Sequence, residues 1–290
     1  LGALAIKSNK IKMLKTRLIT AAILIPLVLL VLFSGSTALF VGMLGIFVGL
    51  GAWEWGGLCL WDSKQRHYYA ASILGTGMLA FTLMAFSQTW IIAAPLMLLL
   101  NIVGMLFWGL ALYWVIQYQC GNDLLPSSDF TNAIIGILLL LPTWFSLFYL
   151  YNTRVELVFF LLLLIWTADT GAYFFGKSFG KSKLAAQVSP GKTWEGVAGG
   201  IFFSSLFTLS AGLWYGLTGY KLWGFVAFAG FIVLASILGD LFESLYKRKA
   251  NLKDSSQLLP GHGGILDRVD SLTAAAPLFV GGMTVLGWLW

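Results

Sequence analysis

The sequence predicts an all-α, polytopic integral membrane protein of about nine transmembrane helices with a cytoplasmic N-terminus, and three observations carry that prediction. The first is composition: 59% of the 290 residues are hydrophobic before 33 glycines are counted, and only 10% are charged. A soluble domain has about 45–50% apolar residues with glycine included and about 25% charged. The second is the arrangement of the charges, which leaves long charge-free runs at 18–53, 67–122, 130–153, 157–168, 196–220, 222–239 and 271–290. The third is the one-sided distribution of lysine and arginine across those runs. Together they exclude a water-soluble globular enzyme and a disordered chain, which needs high charge and few aromatics. Two cysteines, Cys59 and Cys120, are too few for a disulfide scaffold.

The elements follow from the cost of placing an ionised group in hydrocarbon, at least about 2.5 kcal/mol, against a backbone that satisfies itself as helix. The first helix, near 18–34, follows a basic leader with Lys7, Lys10, Lys12, Lys15 and Arg17. It has the outline of a signal peptide, but its apolar stretch is long and contains Pro26, so a retained helix is expected. Met13 is one candidate for the natural start. Run 18–53 as one helix would reach roughly 54 Å against a hydrocarbon core of about 30 Å, so it folds back at Ser34-Gly35-Ser36-Thr37 into a second helix near 37–58. Run 67–122 would reach roughly 84 Å and divides at Ser87-Gln88-Thr89 into helices near 68–86 and 90–117. Trp61 to His67 separates the second helix from the third. Helices near 131–151 and 155–175 flank Arg154, one near 195–215 follows a lysine-rich segment, and Lys221 precedes one near 222–242. A ninth, near 266–289, closes the chain.

With the N-terminus inside, sixteen lysines and arginines fall on the cytoplasmic side and only Arg154 and Lys221 outside, as short basic loops require. The net charge of +6 then reads as contact with anionic lipid headgroups and acidic substrates, and not with nucleic acid. No internal repeat or linker divides the chain. One integrated fold is expected, with helices one to five in 13–151 and helices six to nine, carrying the catalytic site, in 152–290. The outer loops are too short to fold alone, so function belongs to the cytoplasmic face.

Ionisable groups inside membrane helices are functional candidates by default. They are Glu54, Asp169, Asp240 and Glu243, each toward the cytoplasmic end of its helix, with Asp267 and Asp270 opening the ninth. The pairs Asp240/Glu243 and Asp267/Asp270 are spaced i, i+3, which puts each pair on one helical face. Facing pairs would repel unless cations lay between them. Such oxygen sets suit Mg²⁺, which completes its shell with water and substrate phosphates. The alternative is that these acids pair with Lys247, Arg248 and Arg268 at the headgroup boundary.

Glycine-rich polar segments adjoin the same acids: Gly176 to Lys181, Ser189-Pro190-Gly191-Lys192-Thr193-Trp194-Glu195-Gly196, and Pro260-Gly261-His262-Gly263-Gly264. Glycines admit backbone N–H groups to phosphate oxygens, lysines add charge, and the N-termini of the seventh and ninth helices would point at the same place. Ordinary turn chemistry is the alternative. Gly171 to Ser178 satisfies the pattern G-x-x-x-x-G-K-S, but that loop follows a strand, and here it ends a membrane helix. His262 is one of two histidines, which argues against an imidazole zinc site and for phosphate contact or proton transfer. His67 reads as solvated, Cys59 and Cys120 as core or interfacial, and Gly42, Gly45, Gly49 and Gly104 as helix-packing residues. The thirteen tryptophans read as interfacial anchors.

Residues 244–270 resemble the signature of the phosphatidate cytidylyltransferases, or CDP-diacylglycerol synthases. The resemblance rests on Ser244-Leu-Tyr-Lys247-Arg248, Lys253-Asp254, Ser256, Leu259-Pro260, His262-Gly263-Gly264-Ile265 and Asp267-Arg268-Val-Asp270. Tyr246 departs from it, standing where the pattern has a nonpolar residue such as phenylalanine or leucine. Asp169-Thr-Gly-Ala-Tyr173, Ser189 to Gly196, Leu238-Gly-Asp240 and Trp53-Glu54-Trp55 look like further family segments. The resemblance implies transfer of a cytidylyl group from CTP to phosphatidate with Mg²⁺, a second cation being an open alternative, by a homodimer, and the short chain with minimal loops suggests a bacterial inner membrane. It implies that Asp240, Asp267 and Asp270 hold metal, with Glu243 and Asp169 in or behind that shell. Lys192, Lys253 and Arg268 would hold the triphosphate or pyrophosphate, with Ser189, Gly191 and Thr193 in the same binding segment. Ser244, Lys247 and Arg248 would hold the lipid phosphate, and His262, Gly263 and Gly264 would line its path. Two other readings stay open on sequence alone: a cation-coupled transporter, and a related transferase or kinase acting on another lipid phosphate or polyprenol.

Overall fold

The computed structural model describes the backbone of residues 2–87 and 90–287, and the side chains of those residues apart from 2–15, 17–18, 83–87, 90–98 and 100. The corner expected at Gln88-Thr89, the side chains of the basic leader and the last residues of the ninth helix lie outside the described residues. Among the described residues the chain forms nine helices: α1 (Gly2–Phe33), α2 (Thr37–Leu58), α3 (Ser63–Ser87), α4 (Trp90–Gln119), α5 (Asp129–Thr153), α6 (Val155–Phe179), α7 (Trp194–Trp214), α8 (Gly219–Lys249) and α9 (Leu266–Val285). Among the described residues six segments are long and apolar enough to cross a membrane: α2, Asn101–Gln119 of α4, α5, α6, α7 and α8. The protein is an all-α integral membrane protein.

Local chemistry sets the helix ends. Ser36 caps α2 by accepting from the Leu39 N–H at 3.3 Å, and Gly35, at φ 71°, supplies the left-handed corner before it. Thr193 caps α7 by accepting from the Gly196 N–H at 3.1 Å. The eight residues of Gly171 to Ser178 are helical throughout, so the phosphate-loop pattern there names no loop.

One element departs from the expectation. Between α6 and α7 lies an antiparallel hairpin, β1 (Lys183–Ala185) and β2 (Ser189–Thr193), with Lys183 opposite Thr193 and Ala185 opposite Ser189. Strands of three and five residues are too short to declare a two-residue period, and Pro190-Gly191 inside the second reads as turn chemistry.

α9 runs through the middle of the bundle, packed on α8, α5 and α4. Trp108 donates its indole N–H to the Thr273 carbonyl at 3.2 Å, and the Thr143 hydroxyl reaches the same carbonyl. Phe242 of α8 is buried among Trp55, Phe107, Trp108, Trp114 and Tyr246. The reading of every tryptophan as an interfacial anchor is therefore corrected: Trp55, Trp108 and Trp144 are fully buried, because a large apolar surface is as useful in a membrane-protein core as at its rim. Gly45, Gly49 and Gly104 do lie against neighbouring helices, whereas Gly42 faces open space.

α6 and α7 approach more closely than side chains would permit. A Cβ on Gly171 would stand 2.7 Å from the Gly199 carbonyl oxygen, and one on Gly200 3.0 Å from that of Ala168. The Asp169 to Tyr173 and Trp194 to Gly200 glycines thus serve helix crossing. The C-terminal ends of α2, α4, α6 and α8 and the N-terminal ends of α3, α5, α7 and α9 meet at one end of the bundle, where Trp61 donates to Asp129 (2.8 Å), Gln187 to Gln119 (3.0 Å) and Lys249 to the Leu125 carbonyl (3.2 Å). Nearly all the ionisable candidates collect there.

Candidate active site

The segment from Ala250 to Ile265 joins α8 to α9 and is shaped by two carboxylates. Glu54, fully buried near the end of α2, accepts from the Ile265 N–H (3.0 Å) and Ser256 hydroxyl (2.5 Å) on one oxygen, and from the Leu266 N–H (2.6 Å) on the other. Asp267 accepts from the Gly264 N–H (2.7 Å) and Ser255 N–H (2.9 Å) on one oxygen and from Lys247 (2.8 Å) on the other. The Ile265 and Leu266 N–H groups at the start of α9 are therefore satisfied by the Glu54 carboxylate at its positive end. Those two donors are thus taken up within the protein.

The same contacts explain the His262-Gly263-Gly264 run. Leu259 and Gly263 form a one-residue bridge, with the Leu259 N–H donated to the Gly263 carbonyl at 2.8 Å. Gly263 has φ 81°, and a Cβ there would lie 2.6 Å from Asp267. At Gly264 a Cβ would collide with the Ser255 hydroxyl and stand 2.5 Å from Glu54. Gly264, expected on a phosphate path, instead closes the turn, and its N–H is spent on Asp267.

The acids beyond this loop are divided by two lysines. Lys192, projected from β2, stands 2.7 Å from Asp240, whose other oxygen accepts from the Ser244 hydroxyl at 3.2 Å. This pair is half-buried, at 24% and 35% exposure. Lys247 is buried, 2.8 Å from Asp267 and 3.5 Å from Glu243. Part of the alternative reading of the acids is thus realised, since Lys247 pairs with two of them. Arg248 does not: its Nε donates to the Val188 carbonyl at 3.1 Å and ties the hairpin to α8. Ser189 and Gly191 sit on that hairpin, and Thr193 is committed to capping α7.

Glu243 has neither carboxylate oxygen satisfied by a hydrogen-bond donor, although it is only 3% exposed. The Asp270 carboxyl adjoins it across the α8–α9 seam. Gly239 makes that closeness possible, because a Cβ there would run into the Asp270 carbonyl oxygen. Two buried carboxyls side by side call for a cation or a shared proton. Among the described residues no three acid, histidine or cysteine side chains converge as a metal cage. The oxygen set instead fits Mg²⁺ in its commoner mode, one or two carboxylates with substrate phosphates and water completing the shell. Asp169 on α6 is exposed to the same space and lies within the fields of Asp240, Lys192 and Arg268.

Arg268 and Lys253 are exposed, and among the described residues neither forms an ion pair. His262 and Arg268 stand together at the polar end of a cavity that continues into the apolar bundle. Tyr246, the departure from the family pattern, is buried, and its hydroxyl donates to the Asn132 side-chain oxygen at 3.1 Å. The Asn132 carbonyl accepts from Trp55 at 2.9 Å. The additional hydroxyl is therefore satisfied without a change in packing role. Sequence reasoning gave Glu54 no partner, named Ser256 only as part of the motif and passed over Ser255. The available signal was a lone carboxylate between two tryptophans in an otherwise uncharged run.

The sequence profile of the cytidylyltransferase family matches residues 15–286. A phosphatidate cytidylyltransferase of Pseudomonas aeruginosa is 41% identical over 285 residues, covering 95% of this chain and 99% of that protein. One from Haemophilus influenzae is 36% identical over 290 aligned positions, covering 92% and 97%. One from Brucella suis biovar 1 is 32% identical over 279, covering 91% of each.

Proposed function

Because this chain belongs to the cytidylyltransferase family, we infer that it transfers a cytidylyl group from CTP to phosphatidate, giving CDP-diacylglycerol and pyrophosphate for phospholipid synthesis. A phosphate oxygen of phosphatidate attacks the α-phosphorus of CTP, the bond from that phosphorus to the oxygen bridging to the β-phosphate breaks, and pyrophosphate leaves. The attacking monoester has a second pKa near 6 and is already largely dianionic at neutral pH. A strong general base is unnecessary. The difficulty is to bring two anions together in line, so catalysis is a matter of placed positive charge.

In this reading Arg268, exposed and unpaired among the described residues, holds phosphate oxygens with its planar fork, and Lys253 and Lys192 extend that field toward the triphosphate. Lys192 reaches substrate by leaving Asp240. Asp240, Glu243 and Asp270 would hold Mg²⁺, with Asp169 behind them. When bound, the ion would offset charge on the phosphates. Asp267 and Lys247 keep the α8–α9 loop in register, and His262 lines the phosphate path. The observation that carries this assignment is the joining of half-buried Lys192–Asp240, exposed Arg268 and buried Glu243, which accepts no hydrogen bond and has Lys247 at 3.5 Å, at one end of an apolar bundle. That end faces the cytoplasm of a bacterial plasma membrane, a placement supported by sixteen of eighteen basic residues falling on it.

Purified protein incubated with labelled CTP, phosphatidate and Mg²⁺ should yield a lipid-soluble cytidine product and an equal amount of pyrophosphate. Absence of the lipid product with phosphatidate would overturn the reading.

A further inference from the structure

A cavity of about 340 Å³ runs between α1, α2, α5, α6 and α9, within the range of small-ligand pockets, about 300–1000 Å³. Its polar end is marked by Arg268 and His262, while Leu24, Val28, Phe47 and Leu147 are among its otherwise mostly apolar walls. α1 forms the outer wall and is fastened at two places. The Thr20 hydroxyl lies 3.1 Å from the Pro260 carbonyl oxygen beside the catalytic loop. At the other end Phe33 packs edge-on to Phe159 at 5.4 Å and Leu32 is buried. Between these points α1 is apolar on both sides, with Ile23, Leu27 and Leu30 exposed outward and Leu24 and Val28 turned to the cavity.

The lining of α1 extends from Ala21 to Leu32, about 16 Å of helix. One leaflet of a bilayer, about 15 Å of hydrocarbon, is the depth an acyl chain occupies. A slot of leaflet depth, walled on its outer side by a helix and headed by a guanidinium, matches an anionic phosphate carrying a hydrocarbon chain.

We propose that this cavity holds one acyl chain of the phosphatidate, with the lipid phosphate against Arg268 and His262 and α1 separating the chain from bulk lipid. The proposal rests on the reading of the function given above and adds where the lipid lies and what measures its chain. Val28 sets the width of the slot, and Leu32 with Leu147 forms its far end.

The test compares turnover of dipalmitoyl and dihexanoyl phosphatidate by wild type, Val28→Trp and Leu32→Trp. The ratio of long-chain to short-chain turnover should fall by about tenfold or more, the scale on which an apolar pocket discriminates shape. An unchanged ratio in both variants overturns the proposal. Should either variant fail to fold, a phosphatidate bearing a photoreactive group at the end of one acyl chain decides with the wild-type protein. Labelling of Leu147 or of the inward face of α1 supports the slot, and labelling confined to Ile23, Leu27 and Leu30 overturns it. Wild-type inactivity toward both lipids counts against the assigned reaction instead, and the photolabel still reports where the lipid lies.

Discussion

Glu54 and Arg268 carry opposite charges in opposite circumstances. Glu54 is fully buried and accepts from two backbone N–H groups and the Ser256 hydroxyl, so it acts through the loop it holds. Glu54→Gln presents amide hydrogens to N–H donors, and each stranded buried donor costs about 1–3 kcal/mol. A lower thermal midpoint in detergent, together with reduced turnover, is expected. Glu54→Asp, which keeps the charge, should recover part of both. Arg268 is exposed without an ion partner among the described residues, so its replacement should leave stability intact. Arg268→Lys keeps the charge and loses the fork. We expect kcat/KM to fall about tenfold or more, ~1.4 kcal/mol of transition-state stabilisation, with an unaltered melting curve. A normal rate would assign Arg268 no phosphate contact. Glu54 was visible as an acid out of place, and Arg268 as part of a motif. Their division of labour was not visible, because it depends on which N–H groups another segment delivers.

At the scale of elements, α8 and α9 bring the site into register through the absence of a side chain. Gly239 lets the Asp270 backbone come within contact of α8, which sets Glu243 beside Asp270 and aims Asp240 at the hairpin. Gly239→Ala should force the two helices apart. Activity should fall at least a hundredfold, or ~2.7 kcal/mol, in a protein that still inserts and purifies. Near-normal activity would show that the seam tolerates the shift. The β1–β2 hairpin has the complementary task of carrying Lys192 over Asp240, held down by Arg248 through Val188. Nothing in the sequence announces it, since two strands of this length have no period to detect. α6 and α7 cross on glycines, so runs that suggested phosphate binding are in part a packing device.

For the whole molecule, orientation is the remaining prediction, and the two cysteines report it. Cys120 is exposed in the α4–α5 connection, at the same end as the site. Cys59 follows α2, and burial pushes its thiol well above the usual range, with Asp129 adding to the effect. It stays protonated at neutral pH and should react slowly. A membrane-impermeant maleimide should therefore label Cys120 rapidly in inverted vesicles and hardly at all in intact cells, leaving Cys59 unmodified in both. The reverse pattern would place the site on the outer face. The sequence by itself determined the membrane class, the helices with their approximate bounds except the start of α1 and the end of α8, and the chemical family, because hydrophobic run length, charge distribution and a dense motif are local properties of the chain. Only the tertiary structure decided that Glu54 and Asp267 fasten the α8–α9 loop, that Lys192 and Lys247 partition the carboxylates, and that α1 walls a slot of leaflet depth. Those outcomes join residues up to 240 positions apart, as Thr20 and Pro260 do, and which buried charge meets which partner is set by the packing of helices that no local pattern encodes.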